Sequence, residues 1–136
     1  MKCLRIYADE SGESHLADID IPLNPVNPSP GTLHLSAPYA ASSVRFAWAP
    51  PGIPEGVGWH GRHVAPARQL VILLTGWLEF ETSDGEKRRC EPGTVILAED
   101  TFGKGHLTRG PGEQFGMFVP VPDGLSVSPS PEGIKC

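Results

Sequence analysis

Cysteine is scarce in this chain: Cys3, Cys90 and Cys136 are the whole set, and no two are near each other in sequence. An odd, scattered set resembles neither a disulfide framework nor a zinc ribbon, and it suggests a reducing compartment. Positive charge is thin as well. Eleven Lys and Arg stand against 16 Asp and Glu, and no basic run exceeds Lys87-Arg88-Arg89. Nucleic acid and acidic membranes both require a concentrated positive field, so neither is an expected partner. No stretch nears the ~20 apolar residues that span a bilayer, and the N-terminus lacks the apolar segment of a signal peptide. The expectation is a soluble, cytoplasmic protein. Several catalytic signatures are also missing, among them G-x-S-x-G, the phosphate-binding G-x-x-x-x-G-K-[ST], H-E-x-x-H and the dinucleotide-binding G-x-G-x-x-G. Cys90 has no histidine nearby in sequence, which leaves a thiol nucleophile unsupported.

What is abundant is turn chemistry. Sixteen glycines and 15 prolines are spread among short apolar runs in a chain of 136 residues, and no segment reads as a helix. Scattered turn formers between short strands point to one all-β domain, a jelly roll or related barrel. Strands are expected at Leu4 to Ala8, His15 to Leu23, Val44 to Trp48, Gln69 to Leu74, Trp77 to Thr82, Arg88 to Glu91, Thr94 to Leu97, His106 to Arg109 and Gln114 to Val121. Residues 1–32 form N-terminal strands with a Pro-rich connector, 33–121 the barrel, and 122–136 a loose tail. Asp84-Gly85 suits a type I′ hairpin turn, which needs positive φ at both residues. Phe46, Trp48, Phe80 and Phe118 read as core, and Lys87-Arg88-Arg89 as a solvated hairpin strand.

Chemistry concentrates between Gly58 and His106. If the chain is extended from His63, then His63, Ala65, Ala67, Gln69, Val71 and Leu73 share one side. His60 points away from that side unless a bulge intervenes, and Pro66 marks a local irregularity. Of the adjacent acids Glu99 and Asp100, at most one can face inward. Gln69 and Asp100 are candidate ligand-binding residues, and Lys104 is a candidate cation for an acidic group or a solvated loop lysine.

This stretch resembles the cupin superfamily, whose motifs are G-x5-H-x-H-x3/4-E-x6-G and G-x5-P-x-G-x2-H-x3-N. Anchored on Gly76, Gln69 stands where the family has glutamate, His63 falls on the first histidine and Ala65 on the second. Thr101-Phe102-Gly103-Lys104-Gly105-His106 is similar to P-x-G-x-x-H, with threonine for proline, and Gly110 stands at the asparagine. The resemblance covers about Gly56 to Pro120. It implies a double-stranded β-helix with a small-molecule pocket around His63, Gln69 and His106, and pairing into homodimers through the N-terminal strands. It also implies a divalent ion, Fe, Mn, Ni or Zn, but only two of the family's four ligands remain. Two imidazoles and a neutral amide make a weak set unless His60 completes it, since catalytic sites usually offer three protein ligands. Beside a structural partner that oligomerises through its edge strands, three readings stay open. One is a metal-assisted enzyme of dioxygenase, isomerase, lyase or cyclase type. The second is a metal-free enzyme with histidine acid/base chemistry, and the third is a non-catalytic metabolite-binding or sensor protein.

Overall fold

The computed structural model describes residues 1–27, 31–50 and 61–126. His60 and Cys136 lie outside these. Eleven strands form the described structure, and no helix is among them. They are β1 (Lys2–Ala8), β2 (Ser14–Asp20), β3 (Asn24–Pro25), β4 (His34–Leu35), β5 (Arg45–Ala49), β6 (Gln69–Leu73), β7 (Leu78–Thr82), β8 (Lys87–Cys90), β9 (Val95–Ala98), β10 (His106–Arg109) and β11 (Gln114–Pro120). A six-stranded sheet runs β2-β1-β9-β6-β11-β5, a three-stranded sheet runs β10-β7-β8, and β3 pairs with β4 in a minimal ribbon. Every pairing is antiparallel except β1 with β9. The described strands do not close into a barrel.

The core follows from period-two alternation. Leu4 and Ile6 of β1 and Ile96 of β9 meet Leu78 and Phe80 of β7, along with Leu16, Leu73 and Cys90. This cluster joins the two sheets. Cys3 and Leu97, from the opposite faces of the same strands, meet Ile21 and Val121 in a second cluster, against which Tyr39 and Leu125 pack. With both faces covered, β1 belongs to the centre of the fold and is no detachable N-terminal arm. The tail is tied down at its start, because Val121 is buried and Leu125 packs on this second cluster. Burial also pushes the thiols of Cys3 and Cys90 up to about 11. Both are free and inert at neutral pH.

Two local expectations change. The β7–β8 connection is not a type I′ turn, because no residue other than glycine has positive φ among the described residues. Gly85 N–H donates to Thr82 O across Ser83 and Asp84, and Asp84 Oδ1 accepts from Thr82 Oγ1 and Glu86 N–H. The aspartate side chain therefore caps a four-residue loop, leaving only Gly85 at φ +90°. The second change is the orientation of β5. Phe46 and Trp48 are 77% and 55% exposed, whereas Ala47 and Ala49 are half-buried on the cavity side and Arg45, though it borders the cavity, is exposed. β5 pairs only with β11 among the described strands, so its outer apolar face has no layer above it there. Phe80 is buried as expected, while the half-buried Phe118 lines a cavity.

The turn after β1 is bound to the β7–β8 loop through one histidine. His15 Nε2 lies 2.7 Å from Asp9 Oδ2, and its Nδ1 lies 2.9 Å from Asp84 Oδ2. The bond to Asp9 raises the imidazole pKa above its ordinary value against the opposing effect of desolvation, and Asp84 adds to the rise. A raised native pKa contributes stability that is complete below about pH 6.5 and is lost as pH climbs through the raised value. The stability gap between the wild-type chain and His15→Gln should therefore narrow as pH rises from about 6 to about 8. Urea melts at a series of pH values measure it, and a constant or widening gap would contradict the assignment.

Candidate functional site

Between the inner face of β5, β6 and β11 and the small sheet lies a cavity of about 610 Å³. His63, Ala65, Ala67, Gln69, Val71 and Leu73 all line it, which is the side predicted by parity. The regular strand begins only at Gln69, however, and Pro66 sits in the bend before it. His63 is held by one isolated bridge, its N–H donating to His106 O at 3.0 Å and its O accepting from His106 N–H at 2.8 Å. That bridge is possible because residue 105 is glycine. A Cβ there would meet His63 O at 2.3 Å, and φ is +72°.

The two histidine rings lie 4.8 Å apart, centroid to centroid. His106 is buried, with its Nδ1 2.5 Å from Asp100 Oδ2. Asp100 is wholly buried, and its Oδ1 has no partner. The nitrogen of His106 left for other chemistry is Nε2. His63 is similarly oriented, its Nδ1 lying 3.0 Å from Gly61 O. The register shows which end of the cavity this is. Gln69 pairs with Ala98, and Asp100 lies two residues further along the same direction. Ala65 N–H donates to Asp100 O. Gln69, Asp100, His63 and His106 thus gather at one end.

Of the expected site residues, His63, His106 and Gln69 come together on the cavity wall. Asp100 stands behind His106 and does not line the cavity, so it holds the imidazole and does not contact a ligand. Its neighbour Glu99 turns the other way, to Arg5 and Arg68. Lys104 is absent from the cavity wall: it is exposed and its Nζ pairs with Glu13 at 2.5 Å. His60 falls outside the described residues. As a ligand set, His63 and His106 present two imidazoles. No group of three His, Cys, Asp or Glu side chains converges among the described residues. Among the described residues the set is two imidazoles and one amide, short of the three protein ligands usual at a catalytic divalent ion, and no step below runs through a metal.

Sequence reasoning overlooks four wall residues: Arg45, Thr108, Gln114 and Phe118. Arg45 reads in the sequence as a solvent-facing position, and it is exposed while bordering the cavity. Gln114 is buried with its Oε1 unpartnered. Neither a scan against protein-family models nor a search of curated proteins finds a match for this chain.

Proposed function

We propose that the chain is a cupin-like jelly roll whose cavity binds a small molecule, with His106 acting on it as a general acid/base. The observation that carries this reading is the buried Asp100–His106 hydrogen bond at the cavity wall. A carboxylate on Nδ1 fixes the tautomer so that Nε2 is the acceptor, and it stabilises the imidazolium formed when Nε2 takes a proton. The suited reaction is proton abstraction beside a carbonyl. The C–H bond breaks, the proton goes to Nε2, and the electron pair moves onto the carbonyl oxygen. Gln69 at the same end offers an amide N–H to that oxyanion. Returning the proton to the same or a neighbouring carbon completes an exchange or an isomerisation.

Two features support the cupin likeness. Gly76 and Gly93 sit at positive φ in the turns where the family has its glycines, and His63 and His106 lie side by side. The alternative, a non-catalytic metabolite binder, draws on the two family ligand positions that are not retained. One assay separates them. Chelator-dialysed protein is incubated in D₂O with a panel of ketones and oxo acids, and mass spectrometry follows deuterium at the α-carbon. Exchange above buffer that falls by about 10²-fold or more in His106→Gln is expected. Binding without exchange leaves the metabolite-binder reading standing. Stoichiometric metal in the purified chain that disappears in both His63→Ala and His106→Ala would overturn the metal-free mechanism.

A further inference from the structure

We infer that the cavity takes an uncharged ketone or aldehyde with an apolar body, and turns away the corresponding oxo acid. The inference rests on the small-molecule reading above and narrows it to one substrate class. Gln69 decides where the polar group of a ligand goes. It is 7% exposed and lines the cavity, yet among the described residues its side-chain amide has no hydrogen-bond partner. The buried side-chain atoms that are both sealed and unpartnered are Asp100 Oδ1 and Gln114 Oε1, so the Gln69 amide keeps its surface on the cavity. A buried amide without a partner is costly, and a ligand oxygen meets it. Beside it, His106 presents Nε2, because Nδ1 is held by Asp100. The polar end of the cavity therefore offers one amide and one imidazole nitrogen, a match for a carbonyl and the carbon next to it.

Beyond that end the wall is mainly apolar. Val71, Leu73, Leu78, Phe80, Ile96 and Ala98 line it, and Leu73, Leu78, Phe80 and Ile96 among them belong to the core cluster that joins the two sheets. Gln69 and Leu73 are the two ends of β6, roughly 13 Å apart at the rise of a β-strand. A ring or short chain attached to the carbonyl lies along this stretch and removes its own apolar surface from water. Charge is excluded from the same space. No Asp, Glu or Lys lines the cavity among the described residues, and Arg45 is exposed at its border, where water solvates the guanidinium. A carboxylate drawn in beside Gln69 would lose its water with no Lys or Arg inside to replace it. It would also face the Nε2 of an imidazole already committed to the buried carboxyl of Asp100.

Isothermal titration calorimetry at neutral pH with benzylacetone, benzylpyruvate, butanone and toluene tests the assignment. Benzylacetone and benzylpyruvate share one body and differ by a methyl group against a carboxylate. The wild-type chain should bind benzylacetone, with benzylpyruvate and butanone each about tenfold or more weaker. Gln69→Leu should weaken benzylacetone by about tenfold. Toluene, which has no carbonyl, should still bind that variant, which also shows that its cavity is intact. The order of the probes on the wild-type chain decides the inference without any variant. Binding of benzylpyruvate as tight as benzylacetone, an unchanged affinity for benzylacetone in Gln69→Leu, or no binding of any probe would overturn it. The D₂O exchange assay is read separately. Preference for the ketone without exchange removes the acid/base step alone, and exchange of benzylpyruvate ahead of benzylacetone removes this inference alone.

Discussion

Gly105→Ala should destabilise the chain by about 3 kcal/mol or more. Two costs combine. Alanine at φ +72° adopts a backbone conformation that L-residues avoid, and its Cβ would lie 2.3 Å from the backbone oxygen of His63. A backbone oxygen cannot turn aside as a flexible side chain would. The strand must separate from residue 63, opening the reciprocal bonds between His63 and His106. Gly85→Ala is the control, since φ there is +90° and no atom lies within 4 Å of the added Cβ. It should cost only about 1 kcal/mol, from conformation alone. Urea unfolding of both variants, with amide exchange at His63 and His106, measures the difference. Equal destabilisation by the two substitutions would show that the close approach at Gly105 has no structural weight.

Asp100→Ala should cost about 3 kcal/mol, because it leaves the buried His106 Nδ1 without its partner. His106→Ala should cost a comparable amount, since it leaves Asp100 buried with both carboxyl oxygens unpaired. The double variant removes both groups and both unmet requirements. Its cost should fall short of the sum of the single costs by about 2 kcal/mol, within the range seen for contacting residues. Strict additivity in this double-mutant cycle would mean that the 2.5 Å contact contributes nothing. In the proposed reaction Asp100 is a positioning residue acting through His106.

Most strands were legible because alternating apolar residues and Gly- or Pro-bearing turns are local signals. β6, β7, β9 and β11 fall where the periodicity places them. Parity along residues 63–73 named one wall of the cavity even across the irregular stretch around Pro66, since side-chain alternation depends only on local extended backbone. β5 shows the limit of that signal. Alternation separates Val44, Phe46 and Trp48 from Arg45 and Ala47, but it does not say which set faces inward. The hydrophobic rule chose the aromatics. Edge position decided otherwise, because no described strand or layer covers that face, while the cavity side takes the small Ala47 and Ala49 and leaves Arg45 exposed at its border.

Asp100 illustrates the same division. Adjacent acids on an extended segment must diverge, and that much is visible in the sequence. Which of the pair meets His106, and that it does so from behind and not from within the cavity, depends on β9 delivering residue 100 beside the isolated bridge of His63 and His106.

By itself, then, the sequence determined the all-β class, the positions of the turns and the shared face of His63 and Gln69, because these follow from side-chain period and backbone conformational preference. Tertiary structure alone decided that Asp100 holds His106, that Lys104 pairs with Glu13, and that Arg45 and Gln114 lie on the cavity wall. None of these is a local property: the β5–β11 ladder sets Arg45 and Gln114, and the approach of the loop before β10 to the β1–β2 turn sets Lys104 against Glu13.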